Sequence, residues 1–444
     1  VTVKLDQARQ TIDGFGINDT WMALTDDQAK ACFDQTTGLG LTILRVGMSS
    51  TGNGFYNSSE ATSIASAKKY GATKIIGSVW SPPGTWKTNG SEKDGGHLKA
   101  DYYDQWADKI VTFAKTNSLY AMSIGNEPDF ASCGSTEPCN GNYDTTLYTA
   151  NEMVAFIKVV GPKLQAAGVK VIAPEASEWI HIWSNVSATG SVPGKKNSSD
   201  PMKCGCFGNS ATGTITGTCA STCTQGNGYD YGHWLYKDKA AWAALDILGL
   251  HQYDTQVAEP WPADVPEKKP IWQTEMSGVK WWPESGPSTD IDNGVAVAGW
   301  LHNALTVGEL NAWLWWWYKA MGETNEGLQL SNGTDTKRHY TFGNFTRFIR
   351  PGYVRVDVAG SIPSNVLLSA YKGTDSSVVV VAINKGTAAA DVPIAISGGT
   401  APASCTPTVT SKDDNLKTGT AVAVTDGTFK ASLAGTTVTT FVCK

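Results

Sequence analysis

Short apolar runs recur through the first three quarters of the chain, at Ile12–Ile17, Leu41–Met48, Lys74–Ser81, Ala121–Glu127, Lys170–Ala176, Ile247–Tyr253, Pro270–Met276 and Ala312–Tyr318. Most are nearly continuous rather than alternating, as expected of parallel strands covered on both faces. Between them, stretches such as Asp101–Lys115 and Thr149–Ala167 carry apolar residues at three- and four-residue intervals, the spacing of crossover helices. Eight strands alternating with helices predict a (β/α)8 TIM barrel, an α/β fold with its polar chemistry at the strand ends. A doubly wound open sheet is the alternative. It would need a glycine-rich phosphate turn after the first strand, and Gly14 and Gly16 do not complete one.

The pattern changes near Pro351. Beyond it, Val354–Val358, Val378–Ile383 and Thr437–Val442 are separated by Gly/Ser/Asp/Asn turns, which predicts a side all-β sandwich domain. Val1–Leu5 alternates in the same manner and is expected to join that sheet. The expected division is residues 1–11 with the β-domain, 12–350 as the catalytic barrel, and 351–444 as the C-terminal sandwich. The 17 tryptophans all lie between Trp21 and Trp317, and residues 351–444 contain no Trp, Glu or His. Acid–base chemistry therefore belongs to the barrel.

A net charge of −6 offers no basic field for a polyanion, so no nucleic-acid partner is expected. No apolar run approaches the roughly 18 residues of a membrane span, and a processed, soluble chain without a membrane partner is expected. Nine cysteines fall in local groups. Cys133 with Cys139, and Cys405 with Cys443, bracket loops that one disulfide each can close. Cys204, Cys206, Cys219 and Cys223 lack the two-residue spacers of structural zinc sites and read better as disulfide cysteines. Cys32 reads as a buried free thiol. Asn-x-Ser/Thr sequons occur at Asn18, Asn57, Asn89, Asn185, Asn197, Asn332 and Asn344. Together these features predict a secreted, extracellular glycoprotein.

The fourth strand closes in Asn126-Glu127-Pro128-Asp129 and the seventh in Gln273-Thr274-Glu275. Two carboxyl groups facing each other across a barrel mouth supply the acid and the nucleophile of glycoside hydrolysis, and a separation near 5 Å corresponds to retention. Arg45 on the second strand can hold down the pKa of one carboxylate, and Tyr253 can donate a hydrogen bond to it. Its charge then keeps the partner protonated. Asn126 is placed to bond a sugar 2-hydroxyl. Trp80, Trp86, Trp281 and Trp282 fall at or after strand ends, where indole faces stack on sugar rings. In the run Trp315-Trp316-Trp317, alternation sends Trp315 and Trp317 to one face and Trp316 to the other. Tyr143, Tyr148 and Trp183 read as core, and His181 and His251 as core or supporting residues rather than a metal pair.

Asp13-Gly14-Phe15-Gly16, Leu44-Arg45-Val46, Trp80-Ser81-Pro82-Pro83-Gly84-Thr85-Trp86-Lys87, Gly125-Asn126-Glu127-Pro128 and Thr274-Glu275 together resemble glycoside hydrolase family 30, particularly its xylan-degrading members. The resemblance spans the chain. It implies Glu127 as acid/base, Glu275 as nucleophile and a covalent glycosyl-enzyme intermediate, with no metal or other cofactor implied; xylan is the expected partner and a monomer the expected form. The bacterial glucuronoxylanases of the family grip a glucuronate branch with an Arg in the loop after the eighth strand. That loop here, Tyr318 to Glu326, has no Arg but carries Glu323 and Glu326, so strict dependence on a glucuronate branch is not expected by this route; with its clustered cysteines and sequons the chain looks closer to the family's fungal xylanase branch. The expected activity is cleavage of β-1,4-xylosidic bonds, in endo mode or with exo release of xylobiose. The alternatives are β-1,6-glucanase, glucosylceramidase or a non-catalytic polysaccharide-binding protein.

Overall fold

The computed structural model describes residues 1–93, 95–130, 143–183, 207–208, 215–216, 230–253, 257, 259–278 and 286–444. Cys133, Cys139, Cys204, Cys206, Cys219, Cys223, Asn185, Asn197, Trp281 and Trp282 lie outside the described residues. Strand β1 spans Thr2–Thr11. The barrel strands are β2 (Gly14–Asn18), β3 (Ile43–Met48), β4 (Lys74–Val79), β5 (Ala121–Ser123), β6 (Lys170–Ala176), β7 (Ile247–His251), β8 (Ile271–Glu275) and β9 (Ala312–Lys319). Each pairs in parallel with the next, and β9 returns to β2, closing the barrel.

Parity along each strand sorts its side chains. In β3, Leu44, Val46 and Met48 pack outward under the helices, whereas Ile43 joins Ile76, Ala121, Ile172, Ile247, Trp272, Ala312 and Leu314 in a layer inside the barrel. These residues sit at the beginnings of their strands, so they plug the N-terminal end. Tyr120 stacks on Trp272 there with ring centroids 6.1 Å apart, and the Trp272 indole donates to Asp13. Burying each large side chain of this kind stabilises by about 1.5–3 kcal/mol. The helix Ala150–Ala166 starts at a capping box in which Thr149 and Glu152 exchange hydrogen bonds with each other's backbone.

The sandwich strands are β10 (Val354–Ala359), β11 (Val366–Lys372), β12 (Val378–Asn384), β13 (Ala390–Ser397), β14 (Ser404–Thr410), β15 (Thr428–Leu433) and β16 (Thr437–Cys443). Their order is β14-β16-β12-β11-β10-β1-β13-β15, with β1 antiparallel to β10 and parallel to β13. The sheet folds over so that Phe429 of β15 meets Phe441 of β16 at 5.3 Å. Every residue of β12 is buried: Val378, Val380 and Ala382 face the sandwich core, and Val379, Val381 and Ile383 pack against the barrel core. Cys405 and Cys443 stand opposite each other in register and form a disulfide. Cys32 is a buried free thiol.

Two sequons turn out to be structural. Asn18 is wholly buried and donates to the carbonyls of Thr274 and Trp315. Asn344 is equally buried and donates to Thr408. Neither can accept a glycan in the folded protein, whereas Asn332 is exposed.

Candidate active site

Strand parity carries Arg45, two residues after Ile43, into the barrel, where it is fully buried. Its Nη1 donates to Glu275 Oε2 and Asn18 Oδ1, both at 2.7 Å. Its Nη2 donates to Asn126 Oδ1 at 2.6 Å, Glu175 Oε2 at 2.8 Å and Ser78 Oγ at 3.0 Å. One guanidinium thus ties five strand ends together. Its carbon also lies 4.9 Å from the centroid of the Trp80 ring.

The same parity would point Glu175, Glu275 and Trp317 outward, because Ile172, Trp272 and Leu314 face inward on their strands. At each of these ends the ladder slips: between Pro174 and Ala176, between Gln273 and Glu275, and between Trp315 and Trp317. A slip of this kind re-aims the following side chain, and barrel rims are where such irregularities concentrate. Trp316 and Trp317 consequently both face the mouth, stacked at 4.9 Å, and Trp315 alone packs outward; strict alternation fails for this run. Glu127 gets its direction differently. β5 ends at Ser123, short of the expected Glu127, and Glu127 adopts φ +45, a left-handed conformation that cannot continue a strand.

The two glutamates share His251. Its Nδ1 is 3.0 Å from Glu127 Oε1, its Nε2 is 3.9 Å from Glu275 Oε2, and ligating atoms of the three lie within 4.8 Å of one another. The Tyr253 hydroxyl donates to Glu275 Oε1 at 2.7 Å. Each oxygen of Glu275 thus accepts a hydrogen bond, and the cation beside it is Arg45. Burial pushes Glu127 up to about 8, helped by the charge of Asp129 and opposed by Arg45. Burial also raises Glu275 above the ordinary carboxylate range, with His251, Arg45 and the Tyr253 hydrogen bond pulling it back. Arg45 acts in the expected direction on Glu275, but desolvation outweighs it. Burial lowers His251, which favours the neutral imidazole.

Above the pair opens a cavity of about 800 Å³, lined by Asn126, Glu127, Tyr253, Glu275 and an aromatic wall. In that wall Trp21 lies 5.3 Å from Trp80, 5.5 Å from Tyr56, 5.8 Å from Trp316 and 6.0 Å from Tyr143. Flat apolar faces beside a few convergent polar groups suit a sugar ring.

Residues 352–441 match the glycosyl hydrolase family 30 beta sandwich domain. The whole chain aligns at 31% identity with 91% of glucuronoxylanase XynC from Bacillus subtilis (strain 168). The chain belongs to glycoside hydrolase family 30. Two solved structures are similar to this family 30 chain over its full length and 99% of theirs, each at 27% identity. One is a GH30 endoxylanase from Clostridium papyrosolvens C71 (TM-score 0.76), the other the subfamily 8 xylanase Xyn30A from Clostridium acetobutylicum (TM-score 0.78).

Of the residues singled out in the sequence of this family 30 hydrolase, the structure brings Glu127, Glu275, Asn126, Tyr253 and Trp80 to the cavity. Arg45 is not on its surface; it reaches the site through Glu275 and Asn126. Trp86 is a correction: it stacks on Tyr102 at 5.1 Å, edges onto Trp106, and does not line the cavity. The short turn Gly84–Trp86 directs the indole toward the helix Tyr103–Thr116 instead. Tyr143, expected in the core, lines the cavity and hydrogen-bonds Glu127. Tyr148 and Trp183 do pack in the core. His181 pairs with Asp129, which also accepts from the Ser177 N–H and hydroxyl. Sequence reasoning passed over Glu175, Ser78, Trp21 and Tyr56. The one available signal was Pro174 inside a central strand, which marks a bulge.

Proposed function

We propose that the protein is a retaining endo-β-1,4-xylanase acting on xylan or glucuronoxylan through Glu127 and Glu275. The kinship with XynC and the clostridial xylanases supports the substrate class. The observation that carries the mechanism is the pair of carboxyl oxygens within 4.8 Å, since retaining enzymes keep their carboxyl groups about 5–5.5 Å apart and inverting ones leave room for a water. Glu127, protonated up to about pH 8, gives its proton to the leaving oxygen. Glu275, oriented by Arg45 and Tyr253, attacks the anomeric carbon and forms a glycosyl ester. Glu127, now ionised, takes a proton from the water that hydrolyses the ester. Xylan lies outside the cell, which favours an extracellular protein; no helix among the described residues is long and apolar enough to cross a membrane.

Glu326 lines the cavity on the loop after β9, and a carboxylate there disfavours an acidic sugar branch at that rim. Digestion of glucuronoxylan, arabinoxylan and linear xylo-oligosaccharides tests the reading. A ladder of xylo-oligosaccharides appearing first as β-anomers by NMR is expected; α-anomers or activity confined to a β-1,6-glucan would overturn it, and xylobiose alone would replace endo by exo cleavage.

A further inference from the structure

Glu175 is fully buried, carries φ +59, and touches both halves of the catalytic pair through different groups. Its Oε2 accepts from Arg45 at 2.8 Å and from the Ser78 hydroxyl at 2.7 Å, and that same Arg45 grips Glu275. Its backbone carbonyl accepts the N–H of Glu127 at 2.9 Å. The left-handed conformations of Glu175 and Glu127 each cost on the order of 1–3 kcal/mol and persist only where surroundings enforce them. Gly249 on β7 leaves the space that the side chain uses: a Cβ there would come within 3.0 Å of Glu175 Cγ. The ladder slip at Pro174/Ala176 and the glycine opposite thus build a place for this carboxylate.

We infer that Glu175 is a positioning residue: it sets Arg45 against Glu275, fixes the backbone of Glu127, and remains the counter-charge of Arg45 through the reaction. This rests on the two-glutamate mechanism above. When Glu275 bonds to the anomeric carbon, the bond from that carbon to the leaving oxygen breaks and that oxygen takes the Glu127 proton. Negative charge then moves from Glu275 to Glu127, and Arg45 is left facing a neutral ester. A buried cation without a partner is strongly disfavoured. Glu175 prevents that state, and Arg45 in turn holds its carboxyl below the usual range against the opposing effect of burial.

The groups facing Glu127 are Arg45, Asp129, Tyr143, Glu175, His251 and Glu275, and among them the Glu175 charge favours the protonated acid. Glu175→Gln keeps the shape and removes the charge. The expected result is a fall in kcat of about tenfold or more with KM within about twofold, and a basic limb of kcat/KM moved toward lower pH. Glu175→Asp keeps the charge on a shorter stem, so its basic limb should stay in place while kcat falls. A Gln variant with the wild-type basic limb, losing activity only in proportion to its folded fraction, would overturn the inference. If the Gln variant does not fold, the Asp variant decides alone, and wild-type kcat in it overturns the inference. Glu127→Gln and Glu275→Gln serve as controls. Turnover in those two would remove the underlying mechanism, whereas normal Glu175 variants beside two dead controls remove only the role of Glu175.

Discussion

The two ends of the barrel are built from the same eight strands and obey different rules. At the N-terminal end, inward parity holds and produces the apolar plug around Ile43, Ile172, Ile247 and Trp272. At the C-terminal end three strands slip register, and the side chains so re-aimed are Glu175, Glu275 and Trp317. A regular ladder makes a stable core, and its local failure makes a polar site inside one. Burial follows the same division: it rewards Trp272 below and raises the proton affinity of Glu127 above.

This contrast can be broken most decisively by Glu275→Gln and Glu127→Gln. Each should lower kcat on xylan by at least about 10³-fold while leaving the thermal midpoint unchanged or higher, because a raised pKa marks a carboxyl for which ionisation is costly where it lies. Trp272→Ala at the opposite end should do the reverse. A loss of about 3–5 kcal/mol in urea unfolding is expected, with kcat/KM within about twofold in the protein that remains folded. Tyr253→Phe sits between these extremes. Without the hydroxyl donor, Glu275 rises further, so the acid limb of kcat should move to higher pH and kcat should fall about tenfold.

The smallest effect concerns Glu60, whose carboxylate accepts from the Gly47 and Asn57 N–H groups beside the mouth. Burial raises it to about 7. A carboxyl with a raised folded pKa contributes stability that is complete below its unfolded value near 4.5 and is lost as pH rises through about 7. Glu60→Gln should therefore lose less thermal stability than wild type between pH 5 and pH 8 in calorimetry.

The strands were readable because burial on both faces leaves nearly continuous apolar runs; Lys170–Ala176 coincides with its expected bounds. Glu127 and Glu275 were readable because they follow such runs. Glu175 was legible only in part: Pro174 inside a central strand marks a bulge, but nothing in the run says which side chain the slip re-aims. Trp315-Trp316-Trp317 failed for the same reason: alternation is a rule for regular pairing, and this strand is irregular there. Trp86 failed because nearness in sequence to a strand end does not fix which way a three-residue turn throws its side chain.

Strand β1 carries one more consequence, for the order in which the protein is made. It is made before the other described strands, yet Thr11 pairs with Val354. At ribosomal rates of about 5–20 residues per second, its partners emerge roughly 20 to 70 s later. In the interim β1 is an open edge, and Lys4, Asp6 and Arg9 are charges of the kind that discourage such an edge from recruiting other chains. In ribosome-stalled chains ending near residue 350 the segment should be cut readily by protease, and in the full chain it should be protected.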